Sequence, residues 1–157
     1  MKNFSKLALS VIGCELVGIL STPFTISSIP TWYAGLIKPF FSPPNWVFAP
    51  VWTILYFLMG VAVYLVWKEN IKKKKVKIAL YYFLGQLFLN FLWSVIFFGL
   101  HQPFLAFIDI VLLLIMIAIT MREFNKVSKT AMYLLIPYLL WVCFATLLNI
   151  SIVILNK

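Results

Sequence analysis

Glu15 and Asp109 are the two acids that stand inside long apolar runs of this chain, so they are the first residues to weigh for chemistry. An acid held in an apolar run serves an ion path or a proton relay when a basic partner or a second polar station completes it. Neither has a cationic residue in a neighbouring run, and no internal repeat of the kind that builds ion-coupled transporters is visible. Both read as protonated or hydrogen-bonded acids, with proton or cation coupling as the alternative. The single histidine, His101, lies in a short connection without metal-ligand neighbours and reads as an interfacial polar residue rather than an axial haem ligand. No nucleophile–base pair, Gly-rich phosphate loop or CxxC occurs. Cys14 and Cys143 sit within apolar runs and read as small packing residues, not a disulfide framework.

The stronger signal is a set of stripes at helical spacing. Gln86, Asn90, Trp93 and Phe97 recur at i, i+4, i+7 and i+11 and share one helix face. Trp52 and Tyr56 share another, as do Trp141, Ala145 and Asn149, while Ser10, Cys14 and Gly18 form a small-residue stripe suited to close helix packing. At a rise of about 1.5 Å per residue, Trp52 and Trp93 lie roughly 10 Å below the ends of their helices. By the same rise Asp109 and Asn149 lie at about 8–9 Å and Glu15, Asn90 and Ala145 at about 14 Å, with Trp141 somewhat deeper. Amides at such a depth serve equally as hydrogen-bonding glue between helices or as pocket wall. Indoles converging on one layer point to an aromatic-walled pocket for a flat hydrophobic ligand.

The elements that must position these residues follow from composition. The chain has 157 residues, 64% hydrophobic and 11% charged. A soluble domain carries about 25% charged residues, so this chain cannot cover its surface with polar groups and lipid is its solvent. Five apolar runs are long enough to cross a bilayer, at about 7–24, 45–67, 76–99, 103–121 and 130–155. They are too long and too uniformly apolar for barrel strands, which leaves helices as the way to satisfy the backbone. The fold class is an all-α integral membrane protein, one five-transmembrane-helix domain over residues 1–157. No cleavable signal precedes it; the first run is long enough to span.

An odd number of spans places Lys2, Lys6, Lys68, Lys72, Lys73, Lys74, Lys75, Lys77, Arg122, Lys126 and Lys129 on one face, against Lys38 and Lys157 on the other. That asymmetry predicts a cytoplasmic N-terminus. It also assigns the net charge of +9 to topology or anionic lipid contact, not to nucleic acid. The first connection, residues 25–44, is unusually long for a bundle, where two to about eight residues suffice. Pro30, Pro39, Pro43 and Pro44 interleaved with Trp32, Tyr33, Phe40 and Phe41 make it stiff and apolar. It is expected to fold over the outer mouth of the bundle as a lid, where a plain interfacial aromatic belt is the simpler alternative.

Three segments carry a family resemblance. W-Y-A-G-L-I-K-P-F-F-S-P-P-N-W-V-F-A-P-V-W-T-I-L-Y-F-L-M-G (Trp32 to Gly60), G-Q-L-F-L-N-F-L-W-S-V-I-F-F-G-L (Gly85 to Leu100) and P-Y-L-L-W-V-C-F-A-T-L-L-N (Pro137 to Asn149) resemble the translocator protein family, also known as TspO/MBR or the peripheral-type benzodiazepine receptors. Order and spacing match across the chain after the first run, which itself carries little of the resemblance. The resemblance implies a five-helix bundle, commonly a homodimer, with a cavity near the first loop. It implies ligands such as protoporphyrin IX, haem, cholesterol and synthetic isoquinolines or benzodiazepines. Carried over residue by residue, the ligand-binding positions are Tyr33, Ala49, Trp52, Asn90, Trp93, Trp141 and Ala145. Animal members follow the last segment with tyrosines and a basic residue, the proposed cholesterol motif. Here Asn149 is followed by Ile150 and Ser151 with no tyrosine before Lys157, so cholesterol is not an expected ligand and the chain looks like a bacterial member in a cell membrane.

The expected function is a receptor or sensory-type membrane protein that binds porphyrins and is linked to tetrapyrrole transport or regulation. No cofactor is required; a porphyrin is ligand or substrate. One alternative is an enzyme that degrades porphyrin with light and oxygen, in which Trp52 and Trp141 would flank the macrocycle as electron donors. The other is an ion-coupled exporter using Glu15 or Asp109.

Overall fold

The computed structural model describes residues 3–157, so Lys2 of the charge count lies outside the described residues. Helix α1 spans Asn3–Ser28, α2 Phe48–Trp67, α3 Lys74–Ser94, α4 Pro103–Asn125, α5 Lys129–Leu134 and α6 Ile136–Leu155. A short 3-10 turn at Asn45–Val47 leads into α2, and α3 continues into a wide π-type turn at Val95–Gly99. Five stretches are long and apolar enough to cross a membrane: Asn3–Ser28, Asn45–Trp67, Lys74–Gly99, Pro103–Asn125 and Lys129–Leu155. The last is α5 and α6 run together, with a break at Leu135. Pro137 explains the break, because it has no N–H for the carbonyl four residues back and its ring crowds that carbonyl.

Helix α1 outruns its apolar stretch to Ser28, passing through Pro23. Hydroxyls keep it wound. Ser21, Thr22, Thr25 and Ser27 each donate to the carbonyl four residues back, at 2.9, 2.9, 3.2 and 2.9 Å. The connection between the first two spans is accordingly residues 29–44 rather than 25–44, with a single 3-10 turn at Tyr33–Gly35.

The helices close into a ring: α1 packs on α2, α2 on α5, α5 and α6 on α4, α4 on α3, and α3 back on α1, with α2 and α3 also touching. One core fills the bundle from Cys14 and Met59 to Phe124 and Val142. A second, smaller core of Tyr33, Phe97, Ala106, Leu148 and Ile152 lies under the first connection. The described residues of the lysine-rich face gather at one end, where Lys126 pairs with Glu123 at 2.6 Å and Lys75 donates to the Lys126 carbonyl at 3.1 Å. Lys38 lies in the first connection and Lys157 ends the chain, both at the opposite, loop end.

Without an oil–water difference to drive helices together in lipid, close backbone approach must supply the packing. Gly60 is where α1 and α2 meet: a Cβ there would stand 2.5 Å from the Val11 Cα, a backbone atom that cannot step aside. Gly13 has open space around it. Gly60→Ala is therefore expected to lower stability by about 1–3 kcal/mol, and Gly13→Ala to leave it unchanged or higher. Thermal unfolding in detergent followed by circular dichroism measures both; equal midpoints would mean that the helices do not meet at Gly60.

Candidate ligand-binding cavity

Between α1, α2, the end of α3 and α6, beneath the first connection, lies a cavity of about 320 Å³. Each wall is a helical stripe. On α2 the lining residues Ala49, Trp52, Thr53 and Tyr56 share a face, and on α6 Ala145, Leu148, Asn149 and Ile152 do. From α3 come Trp93, Ser94, Phe97 and Phe98. Phe97 and Phe98 lie in the π turn, one turn on from Trp93 and Ser94, and such an irregularity is often found at functional sites. On α1, Gly18 makes room: a Cβ there would lie 2.8 Å from the Tyr56 ring.

The aromatic walls hold one another in place. Trp93 stacks on Phe97 with ring centres 5.0 Å apart and meets Phe98 edge-on at 5.9 Å. Its indole N–H donates to Asn149 Oδ1 at 3.0 Å, and Asn149 Nδ2 donates to the Pro103 carbonyl at 2.8 Å. Trp52 leans on Tyr56 at 5.6 Å. Below Tyr56 runs a buried chain: Tyr56 donates to Asn90 Oδ1 at 3.1 Å, Asn90 Nδ2 to the Tyr138 hydroxyl at 2.8 Å, and Tyr138 to Gln86 Oε1 at 2.7 Å. Three helices are tied by that chain directly beneath the cavity.

The connection above is fastened at several points. Trp32 stacks on His101 at 4.5 Å, and His101 Nε2 lies 3.1 Å from the Ser28 hydroxyl, which itself bonds the Phe98 carbonyl. His101 takes a left-handed backbone conformation, φ 56°, to reach this position, and it does not border the cavity. Asn156 pairs with both backbone groups of Ile37 at 2.9 Å. Phe41 meets Phe144 edge-on, and the Lys38 ammonium sits 4.7 Å above the Tyr33 ring. Tyr33 lines the cavity, 2% exposed, with a hydroxyl that has no hydrogen-bond partner among the described residues. Burial raises its phenol pKa.

Of the residues singled out by sequence, Tyr33, Ala49, Trp52, Trp93 and Ala145 border the cavity. Asn90 does not; it stands one hydrogen bond behind Tyr56. Trp141 does not either: it meets Phe48 edge-on at 6.2 Å and Phe144 at 5.4 Å, and Phe48 is the residue that lines the space. Trp52 and Trp141 therefore do not face each other across it. Of the α1 wall, Glu15 to Ile29, depth had placed Glu15 in the same layer, and its outer part was not expected in the site. Ile19, Thr22 and Ile26 of that wall, with Ala49 and Thr53 opposite, are exposed, so the cavity is open between α1 and α2. Asp109 is buried on α4 away from the cavity, its Oδ2 without a partner.

A five-helix bundle with an aromatic cavity under its first loop defines the class: an integral membrane protein with an aromatic-lined cavity at its loop end. The chain belongs to the TspO/MBR family, whose family model matches residues 10–155. It is 44% identical to the "Tryptophan-rich protein TspO" of Archaeoglobus fulgidus over 155 residues, 98% of this chain and 99% of that one. The "Translocator protein" of Homo sapiens is 47% identical over 121 residues, 75% of this chain and 70% of that one. The "Tryptophan-rich sensory protein" of Cereibacter sphaeroides is 37% identical over 125 residues, 80% and 77% of the two chains.

The buried chain beneath the cavity makes a direct prediction. Tyr138→Phe removes the acceptor of Asn90 and the donor to Gln86 together, leaving the buried Asn90 Nδ2 and Gln86 Oε1 unpaired. The expected loss is about 1–3 kcal/mol of stability, measured by thermal or denaturant unfolding in detergent. A variant as stable as the parent would mean that those amides find other partners.

Proposed function

We propose that the chain is a membrane receptor that holds flat, hydrophobic ligands, porphyrins first among them, in the cavity under its first loop. The observation that carries this reading is the wall itself: Trp52, Trp93, Tyr33, Phe97 and Phe98 surround a space of about 320 Å³. Pockets that hold drug-sized ligands run from about 300 to 1,000 Å³ and are lined mainly by apolar and aromatic groups. The gap between α1 and α2 lets a larger ring system enter edge-first and project past the wall. The first loop serves as the lid, fastened through Trp32, Ile37 and Phe41. The relatives' names, translocator and sensory protein, fit a protein that carries or reports such a ligand. The lysine-rich end is read as cytoplasmic. On that reading a cysteine replacing the fully exposed Phe40 is labelled from outside intact cells and one replacing Lys73 is not; the reverse pattern would invert the topology.

Titration of the purified protein with protoporphyrin IX, haem and cholesterol tests the ligand class. Trp52→Phe is expected to weaken porphyrin binding by up to about tenfold, the equivalent of roughly 1.4 kcal/mol and within the range of one aromatic contact. Trp67, at the lysine end under Lys6, is the control and its Phe variant should bind as the parent does. Trp32→Ala should speed ligand release while leaving helical content unchanged. Binding equally affected by Trp52→Phe and Trp67→Phe would place the ligand elsewhere, and an unaltered release rate would reduce the loop to a connector.

A further inference from the structure

We infer that the cavity recognises flat hydrophobic cations, with the Glu15 carboxylate as their counter-charge. The inference rests on the cavity being the binding site and adds the charge favoured on the part of a ligand that lies within the wall.

Glu15 is the one carboxyl group bordering the cavity among the described residues, and no Lys, Arg or His borders it. It is half-buried on α1, one turn below Gly18, in the stretch between the Val11–Gly60 and Gly18–Tyr56 contacts with α2 and at the deep edge of the lining. Among the described residues no basic side chain pairs with it. The ion pair among the described residues is Lys126 with Glu123, Lys6 lies over Trp67, and Lys38 is held over Tyr33 by its bond to the Leu36 carbonyl at 3.2 Å. An acid at membrane depth is costly and normally finds its partner in the protein. This one faces a cavity instead, so the position left for a partner is the ligand's.

The other polar groups of the wall point the same way. Ser21, Thr22, Thr25 and Thr53 spend their hydroxyl protons on their own helix carbonyls and turn acceptor lone pairs outward. The Trp93 N–H and the Asn149 amide are bonded to each other and to Pro103. The donors that remain are neutral: the Trp52 indole N–H, the Asn45 amide and hydroxyls such as that of Tyr33. A buried carboxylate of a ligand would meet a like charge and no cation to answer it. A cationic nitrogen would meet Glu15, several oxygen acceptors and the faces of Trp52 and Tyr56, which attract cations electrostatically. A tetrapyrrole diacid is accommodated only with its acid edge outside this wall.

Three probes that share one ring system test this on the full-length purified protein in neutral detergent: 9-aminoacridine, cationic at neutral pH; acridine, neutral; and acridine-9-carboxylate, anionic. The expected order is cation over neutral over anion, with about tenfold or more between the first and last, as a desolvated charge pair supplies. Glu15→Gln should remove most of that spread while leaving acridine within about twofold, which also reports that the variant is folded. Thr53→Lys, on the facing wall, should reverse the order in favour of the carboxylate. A spread unchanged in Glu15→Gln, or an order unmoved by Thr53→Lys, would overturn the inference. Ala49→Trp, which fills the cavity, separates this from a failure of the site itself. It should abolish binding of all three probes, and retained acridine binding would mean that the cavity is not the site.

Discussion

Inside a bilayer no water stands ready to satisfy a phenol or an amide, so Tyr56, Asn90, Tyr138 and Gln86 must answer one another. That requirement fixes the relative rotation of α2, α3 and α6, because each side chain has to face the same buried point. The rest of the site is built on that alignment. Once Tyr56 and Asn90 face inward, Trp52 one turn up α2 and Trp93 one turn up α3 must face inward too, and they do. A polar chain that reads at first as packing glue is what aims the aromatic wall.

Glycine sets the remaining dimension. At Gly60 the backbones of α1 and α2 come into contact, and at Gly18 the Tyr56 ring fills what would be side-chain space. Toward the loop end the two helices present exposed Thr22, Ile26, Ala49 and Thr53 instead, and the cavity opens between them. Above it Trp32, Ile37 and Phe41 fasten the first connection to the ends of other helices, so a segment without regular structure is held by stacking and hydrogen bonds. At the end of α3 the π turn carries Phe97 and Phe98, which complete the wall begun by Trp93 and Ser94.

The bundle was legible because a membrane leaves few choices: five apolar runs of sufficient length are five helices, and lysines gather at one end. The α2 and α3 walls were legible because their stripes keep the helical period. Two features were not. Trp141 shares a stripe with Ala145 and Asn149, but its ring packs against Phe48 and Phe144 and does not border the cavity. Periodicity gives a face; it does not say which neighbour a long side chain meets. The outer part of the α1 wall stayed hidden because the last turn of α1, residues 25–28, looks like the start of a loop. The serine and threonine bonds to their own carbonyls, which keep it helical, are a local balance that hydropathy does not register. Glu15, placed by depth in the right layer, showed its relation to the cavity only once α1 was seen to form one side of it.

The claim everything else serves is that a flat ligand occupies the space beside Trp52. A porphyrin carrying a photoreactive diazirine, irradiated with the purified protein and followed by peptide mapping, tests it most directly. Adducts are expected on residues 15–29 of α1 and on residues 45–56, which line the cavity. Adducts confined to the exposed apolar face of α3, around Tyr81, Leu84 and Phe88, would contradict the cavity as the binding site.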